Sequence, residues 1–461
     1  MELRIDRQAL VPVVQQIVDA LTRWLHCSEV PPGTRLPSVR QIARINLLSQ
    51  SSVVEACERL VVQGVLAPRH GAGFFVAASA LAAQDQQGFL RFEGAGVNQG
   101  SFSSELKLGC GGLPESWRET DDLSYAIRQV TRTDMVSLFN YSTPLGLPAL
   151  REQIVKRLKQ LDIAVDDSCI MTTTGASQGL DLIVRTLFKP GDCVVVENPG
   201  YCLLFDLLRL HGVRMIEVPR TPRGPDTEAL EALLLEYKPR GLFINSFYHN
   251  PTGSSLTPLV AQRVLQLAKT HGVLVIEDDV YADLHSGPGT RLAALDDSVI
   301  YVGSYSKTLS SSLRVGFVVA GAEVVSRLAE VKMISSMGAS RFCESVLACL
   351  LAGGAYRKLV QRQRQRLSSD REAALQVLED AEWEVFGKPV GGLFIWARSR
   401  MSDYAQVRTQ AKRFGVLLSS ATAFSSTGEA SDWQRINVAY ACDPRARAFF
   451  QATAPDRPKA F

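Results

Sequence analysis

The chain has 461 residues, 46% of them hydrophobic and 21% charged, with a formal net charge of +3. This is the composition of an ordinary soluble globular protein with room for two or three domains, and it excludes global disorder. The charge is too small to imply a partner by itself. No apolar run approaches the roughly 18–20 residues of a membrane span, and the charged start Met1-Glu2-Leu3-Arg4-Ile5-Asp6-Arg7 does not read as a signal peptide.

Pro12 suits the first turn of a helix, in which Val13, Ile17, Leu21 and Trp24 recur at helical spacing through about His26. Pro31-Pro32-Gly33-Thr34 breaks it. Ser38 predicts the cap of a short second helix with Val39, Ile42 and Ala43 on one face, and Asn46-Leu47-Leu48 a tight turn. Ser49 predicts a second cap, for a helix that points Val53, Ala56, Cys57 and Leu60 inward and ends at Gly64. Two apolar runs, Val65-Leu66-Ala67 and Phe74-Phe75-Val76, flank the tip Arg69-His70-Gly71-Ala72-Gly73 and read as a hairpin.

Helix, short helix, turn, helix and hairpin is the order of a winged helix-turn-helix. A DNA-reading helix needs an exposed start with small polar side chains. Ser49, Gln50, Ser51 and Ser52 supply one, and Gln50 can pair bidentately with adenine. Arg40 in the short helix would face the DNA backbone, and Arg69 and His70 on the wing would add phosphate contacts. Residues 1–77 carry eight arginines, no lysine and six acids, a net of only +2. That balance keeps a protein-binding helical domain in view, and tight DNA binding would need more than one copy. The stretch Pro31-Pro32-Gly33-Thr34-Arg35-Leu36-Pro37-Ser38-Val39-Arg40-Gln41-Ile42-Ala43, with the wing Gly71-Ala72-Gly73-Phe74-Phe75-Val76, resembles the GntR family over about residues 10–77. Many members carry Arg-Thr-Thr where this chain has Gln50-Ser51-Ser52, so their base preference does not transfer.

Residues 78–104 are rich in Ala, Gln, Gly, Ser and Asn and read as a linker, which leaves 105–461 as the large module. There, amphipathic helical segments alternate with apolar runs: Cys193–Val196, Leu242–Ile244, Val273–Ile276 and Val299–Val302. Such runs predict a largely parallel sheet with helices on both faces, which binds ligands at the carboxyl ends of its strands. Five segments punctuate it. Thr173-Thr174-Gly175-Ala176-Ser177-Gln178 offers backbone N–H groups and a hydroxyl to an anion, or is a plain helix cap. Glu197-Asn198-Pro199-Gly200-Tyr201 sets an aromatic ring after a strand, and Asn250-Pro251-Thr252-Gly253 is a turn after another. Glu277-Asp278-Asp279-Val280-Tyr281 ends an apolar strand in three acids, costly unless that place needs negative charge. Ser304-Tyr305-Ser306-Lys307, followed by Arg314 and Gly316, places an amine among hydroxyls, fit for a Schiff base if desolvated.

In this order the five segments resemble the fold-type I aminotransferases over about residues 105–445. The resemblance implies pyridoxal 5'-phosphate as cofactor, with Lys307 as the lysine that carries it. Asp278 would pair with its ring nitrogen, with Asp279 second for that job. Asn250 and Tyr281 would bond its phenolate oxygen, and Tyr201 would stack on the ring. Ala176, Ser177, Ser304, Ser306 and Arg314 would form the phosphate cup. Arg435, in Arg435-Ile436-Asn437-Val438-Ala439, matches the arginine that clamps a substrate or effector carboxylate. Tyr141 matches the tyrosine that reaches a partner subunit's cofactor phosphate, and Gly391–Trp396 resembles a strand of a smaller C-terminal α+β subdomain. The nine cysteines, odd in number and with no Cys-x-x-Cys pair, read as free thiols of a cytoplasmic protein, and the six histidines lack metal-ligand spacing, so no metal is expected.

A GntR-type winged helix joined to an aminotransferase-like domain resembles the MocR subfamily of bacterial regulators. That implies a homodimer on a double-stranded DNA operator, responsive to pyridoxal phosphate, an amino acid or an amine. A working aminotransferase is the alternative, since no residue needed for transamination is visibly missing.

Overall fold

The computed structural model describes residues 3, 5, 13–27, 33–62, 65–69, 73–77, 105–117, 120–285, 289–401, 404–420 and 422–455. The chain divides into two compact units, residues 1–91 and 92–461. The expected linker 78–104 and the expected helix end at Gly64 lie outside the described residues, as do Pro12, His70, Gly71 and Ala72.

Among its described residues the first unit has three helices, α1 (Val13–Cys27), α2 (Val39–Ile45) and α3 (Gln50–Val62), and an antiparallel hairpin of β1 (Leu66–Arg69) and β2 (Gly73–Val76). Ser38 caps α2 by accepting from the Gln41 N–H at 3.3 Å, and Ser49 caps the start of α3 by accepting from the Ser52 N–H at 3.0 Å. Leu47 turns the chain between them in the left-handed region, at φ 51°. Ile17, Leu21, Ile42, Val53, Ala56, Cys57 and Leu60 form one buried core, so the helical periodicity of the sequence is the packing of the domain.

The second unit is built on an eight-stranded mixed sheet. Its strands are β3 (Ile170–Thr173), β4 (Cys193–Asn198), β5 (Arg214–Thr221), β6 (Gly224–Pro225), β7 (Gly241–Ile244), β8 (Leu274–Asp278), β9 (Ile300–Ser304) and β10 (Gly316–Val319). They lie in the order β3-β10-β9-β8-β7-β4-β5-β6. The run from β9 to β5 is parallel. β10 is antiparallel to both neighbours, and β6 to β5. Alternate residues of the central strands enter opposite cores. Val195, Leu242, Ile244 and Tyr301 pack on one face, and Val194, Val196, Phe243 and Val302 on the other. Two covered faces explain why these strands read as unbroken apolar runs.

A smaller antiparallel sheet of β11 (Glu384–Val385), β12 (Phe394–Arg398) and β13 (Gln434–Asn437) follows the 26-residue helix Ala355–Asp380. Its core holds Leu378, Trp383, Phe394, Ile436, Phe449 and Phe450.

Candidate functional site

The carboxyl ends of β4, β7, β8 and β9, and the helix start after β3, open onto one cavity of about 770 Å³. Its wall holds Ala176, Ser177, Tyr201, Asn250, Asp278, Tyr281, Ser304, Ser306, Lys307 and Arg314. Ten side chains picked from five separate segments thus meet in one place.

Lys307 follows β9, and its Nζ donates to the Gly111 carbonyl at 3.2 Å. Burial, aided by the Arg435 charge and opposed by Asp278, lowers its pKa from the usual lysine value. A depressed amine is what a nucleophilic lysine requires. Asp278 ends β8. Burial, with Asp279 and Glu277 beside it, raises its carboxyl to about 7, against the Val280 N–H and the Lys307 charge that lower it. Neighbouring Asp279 points away from this chemistry. Its carboxylate pairs with Arg291 at 2.5 Å and accepts from the Tyr301 hydroxyl at 2.9 Å. Glu277 accepts from the Ser246 hydroxyl and from the N–H groups of Leu292 and Ala293. Two of the three acids are therefore committed to structure, and Asp278 alone of them lines the cavity.

The helix Gly175–Leu187 begins without a side-chain cap, and its first residues Ala176 and Ser177 line the cavity. Its N–H groups and dipole suit an anion. Arg314 stands exposed beside it, with Nη1 3.5 Å from the Ser306 hydroxyl and Nη2 3.4 Å from the Thr174 carbonyl. The cradle needs two glycines. A Cβ on Gly175, at φ 76°, would lie 2.5 Å from Arg314 Nη2, and one on Gly316 would lie 2.6 Å from the Ala176 nitrogen.

Arg435, on β13, is 4% exposed. A surface strand arginine, the plain alternative for it, is ruled out. Its Nη1 donates to Asn250 Oδ1 at 2.8 Å, while Nε and Nη2 both donate to the Gly109 carbonyl, at 3.1 and 2.7 Å.

A cavity-lining lysine, an acid, an aromatic face and an uncapped helix start with a guanidinium beside it match the four chemical parts of pyridoxal phosphate. When bound, that cofactor supplies an electron sink for amines.

Residues 104–447 match the family model "Aminotransferase class I and II", and residues 13–76 match "Bacterial regulatory proteins, gntR family". The chain belongs to the class I and II aminotransferase family. Its GntR-type domain in front gives it the MocR arrangement. Among curated proteins it is 27% identical to an uncharacterized HTH-type transcriptional regulator, YdfD, of Bacillus subtilis, covering 94% of this chain and 93% of that one. It is 34% identical to a 2-aminoadipate transaminase of Thermus thermophilus, over 62% of this chain and 73% of the enzyme. Among solved structures, kynurenine aminotransferase of Pyrococcus horikoshii, in complex with PMP, superposes with a TM-score of 0.71 at 27% identity. That match covers 77% of this chain and 90% of the other. Pyridoxal phosphate is the cofactor of this aminotransferase fold.

The aminotransferase domain also holds site residues that sequence reasoning passed over. Asn245, just after β7, donates through Nδ2 to the Asp278 carbonyl at 2.5 Å and accepts at Oδ1 from the Asn250 N–H at 2.9 Å. Its own N–H donates to Glu197, which is held by Arg220. Asn245 therefore ties the end of β8 to the turn at Asn250, both of which carry cavity residues. Cys110, Gly111 and Gln363 also line the cavity. The small-residue run Gly109–Gly112 falls at the start of the large module, where no motif singled it out.

Tyr141 is not in this cavity. It is 75% exposed, in a loop pinned from inside by buried Glu344, which accepts from the Ser142 and Thr172 hydroxyls, and by Lys332, whose Nζ donates to the Pro144 carbonyl at 2.8 Å.

In the GntR-type domain, Arg40, Ser49, Gln50 and Ser51 are exposed and Ser52 is half-buried. The Ser49 hydroxyl is occupied by its cap and by the hydroxyls of Ser51 and Ser52, at 2.9 and 2.7 Å. Gln50 is then the longest exposed side chain at the start of α3. Arg69 lays its guanidinium over the Phe75 ring, 4.4 Å from the centroid, which fixes a cation on the hairpin. His70 lies outside the described residues.

Proposed function

We propose that the chain is a cytoplasmic, pyridoxal-phosphate-dependent transcriptional regulator. Its aminotransferase-like domain senses the cofactor, or an amino compound presented to it, and this changes how a homodimer holds its operator. The observation that carries this reading is the joint presence of two intact devices. One is the capped α3 start with exposed Gln50 and Ser51. The other is the cavity in which Lys307, Asp278 and Arg314 meet.

The cavity residues, and Arg435, which is bonded to cavity-lining Asn250, have distinct tasks. Lys307 would carry the cofactor through its amine, Asp278 would hold a proton on the ring nitrogen, and Asn250 and Tyr281 would steady the phenolate oxygen. Tyr201 covers the ring face. Ala176, Ser177, Ser304, Ser306 and Arg314 hold the phosphate, and Arg435 receives a ligand carboxylate. Arg40, Ser49–Ser52, Arg69 and His70 face DNA.

Dimerisation is supported by exposed apolar side chains around Tyr141. Val136 is 82% and Phe139 86% exposed on the preceding turn. Exposed Met337 stands next in the chain to Gly338, whose side-chain position approaches the Ser142 carbonyl. A patch of this kind calls for a partner, and a second copy would bring Tyr141 to its neighbour's phosphate site.

The test is genome-wide mapping of bound DNA, followed by affinity measurements on a recovered site with and without cofactor and amines. Operator affinity indifferent to both would refute ligand-controlled binding. A working aminotransferase is the second reading, favoured by the meeting of Lys307, Asp278 and Asn250 in one cavity with Arg435 bonded to Asn250. Keto-acid release over many turnovers would establish it.

A further inference from the structure

Gly111 has no folding reason to be glycine. Its backbone lies outside the left-handed region, and a Cβ there would meet nothing closer than 3.8 Å. Its neighbour Gly109 differs, since a Cβ at that position would fall 2.4 Å from the Ser419 nitrogen. Three atoms surround the point where the Gly111 side chain would begin: Arg435 Nη1 and Nη2, each at 3.8 Å, and Lys307 Nζ at 3.9 Å.

The hydrogen bonds of Arg435 show which of its donors are already used. A guanidinium has five N–H groups. Gly109 takes one from Nε and one from Nη2, and Asn250 takes one from Nη1. Beyond these bonds one N–H remains on each terminal nitrogen, two donors of the fork that pairs with a carboxylate. Both terminal nitrogens lie equally far from the Gly111 side-chain position, and the lysine amine lies within 0.1 Å of the same distance.

We propose that Gly111 is a specificity-determining residue: its missing side chain is the room in which a ligand's carboxylate reaches the Arg435 fork while its amine is at Lys307. An alanine methyl would fill that room without disturbing the fold. It would exclude amino acids and leave amines that lack a carboxylate unaffected. The inference rests on the reading of the cavity as a site for amino compounds, and it adds what separates one class of them from another.

The experiment uses the full-length protein loaded with pyridoxal phosphate, as wild type and as Gly111→Ala. Cofactor absorbance is titrated with the standard L-amino acids. Each one that responds is compared with the amine left after removal of its carboxylate. Far-UV circular dichroism and cofactor content confirm an intact protein. Gly111→Ala is expected to weaken amino acids about tenfold or more, the effect of one added carbon in a fitted site, and to leave the matching amines within about twofold. Arg435→Gln should show the same split, through loss of the fork instead of loss of room. Equal weakening of acids and amines, or none in either, overturns the proposal while the amino-compound reading stands. If neither class moves the wild-type spectrum, that reading falls and the proposal falls with it. If Gly111→Ala fails to hold cofactor or to fold, the claim that the glycine has no structural task is wrong, and the proposal fails.

Discussion

Arg435 Nη1 donates to the side-chain oxygen of Asn250 across 2.8 Å, joining the C-terminal sheet to the turn after β7. The contact fixes Asn250 with its oxygen toward the arginine, so its amide N–H groups are the part left to face the cavity. It also leaves the Arg435 charge unneutralised, since both of its partners are neutral oxygens. Asn250→Asp would turn the contact into an ion pair and satisfy that charge internally. Carboxylate ligands should then bind about tenfold more weakly, a loss of about 1.4 kcal/mol, as read by titration of the cofactor absorbance. Unchanged affinity would show that Arg435 is not the carboxylate clamp.

Asp278 and Asp279 are adjacent but should fail in different ways. Asp279→Ala strands Arg291, which is fully buried and pairs with it at 2.5 Å. Breaking one side of a buried pair costs about 3–5 kcal/mol, so denaturant unfolding should show a large loss. Asp278→Ala removes a carboxylate held by one backbone N–H at 3.3 Å. Its unfolding midpoint without cofactor should not fall, while its retention of cofactor through gel filtration should collapse. The reverse pattern would reassign the ring-nitrogen partner to Asp279.

The raised carboxyl of Asp278 predicts a pH dependence. Its folded value of about 7 lies above the ordinary 3.8, so between those limits the folded protein binds the proton more tightly than the unfolded chain does. The resulting stability is full below the ordinary value and is lost as the pH rises through about 7. Glu277, also raised to about 7 by burial, acts in the same direction. Cofactor-free protein should therefore melt at a lower temperature at about pH 8 than at about pH 5, and Asp278→Asn should flatten part of that slope. Parallel melting profiles for the two proteins would mean that Asp278 does not titrate in this window.

The start of α3 separates stability from recognition. Ser49→Ala removes a cap bonded at 3.0 Å and should cost about 1 kcal/mol of stability in the winged helix. Gln50→Ala removes an exposed side chain. It should leave thermal unfolding unchanged and weaken binding to a mapped DNA site about tenfold or more, as expected for a lost bidentate base contact. Equal DNA binding by wild type and Gln50→Ala in fluorescence anisotropy would move base reading elsewhere on the helix.

Much of this protein was determined by local sequence. Ser38 and Ser49 could be read as caps because a cap acts within three residues of itself. The central strands could be read because burial on both faces leaves an unbroken apolar run. Four of the five cavity segments could be found because each sits at the carboxyl end of a strand, and the fifth, Asn250–Gly253, begins six residues past β7. The tertiary structure decided what depends on residues far apart in the chain. Asp278 could be told from Asp279 only once Arg291 and Tyr301 were seen to occupy the latter. Arg435 became a buried group because Gly109, 326 positions away, supplies the carbonyl that holds it. Asn245 and Gly111 carry no signature of their own: one matters for the strand end and the turn it bridges, the other for the three nitrogens around its missing side chain. Periodicity and capping are written in neighbouring residues. The partner of a buried charge, and the space beside it, exist only after the chain has closed on itself.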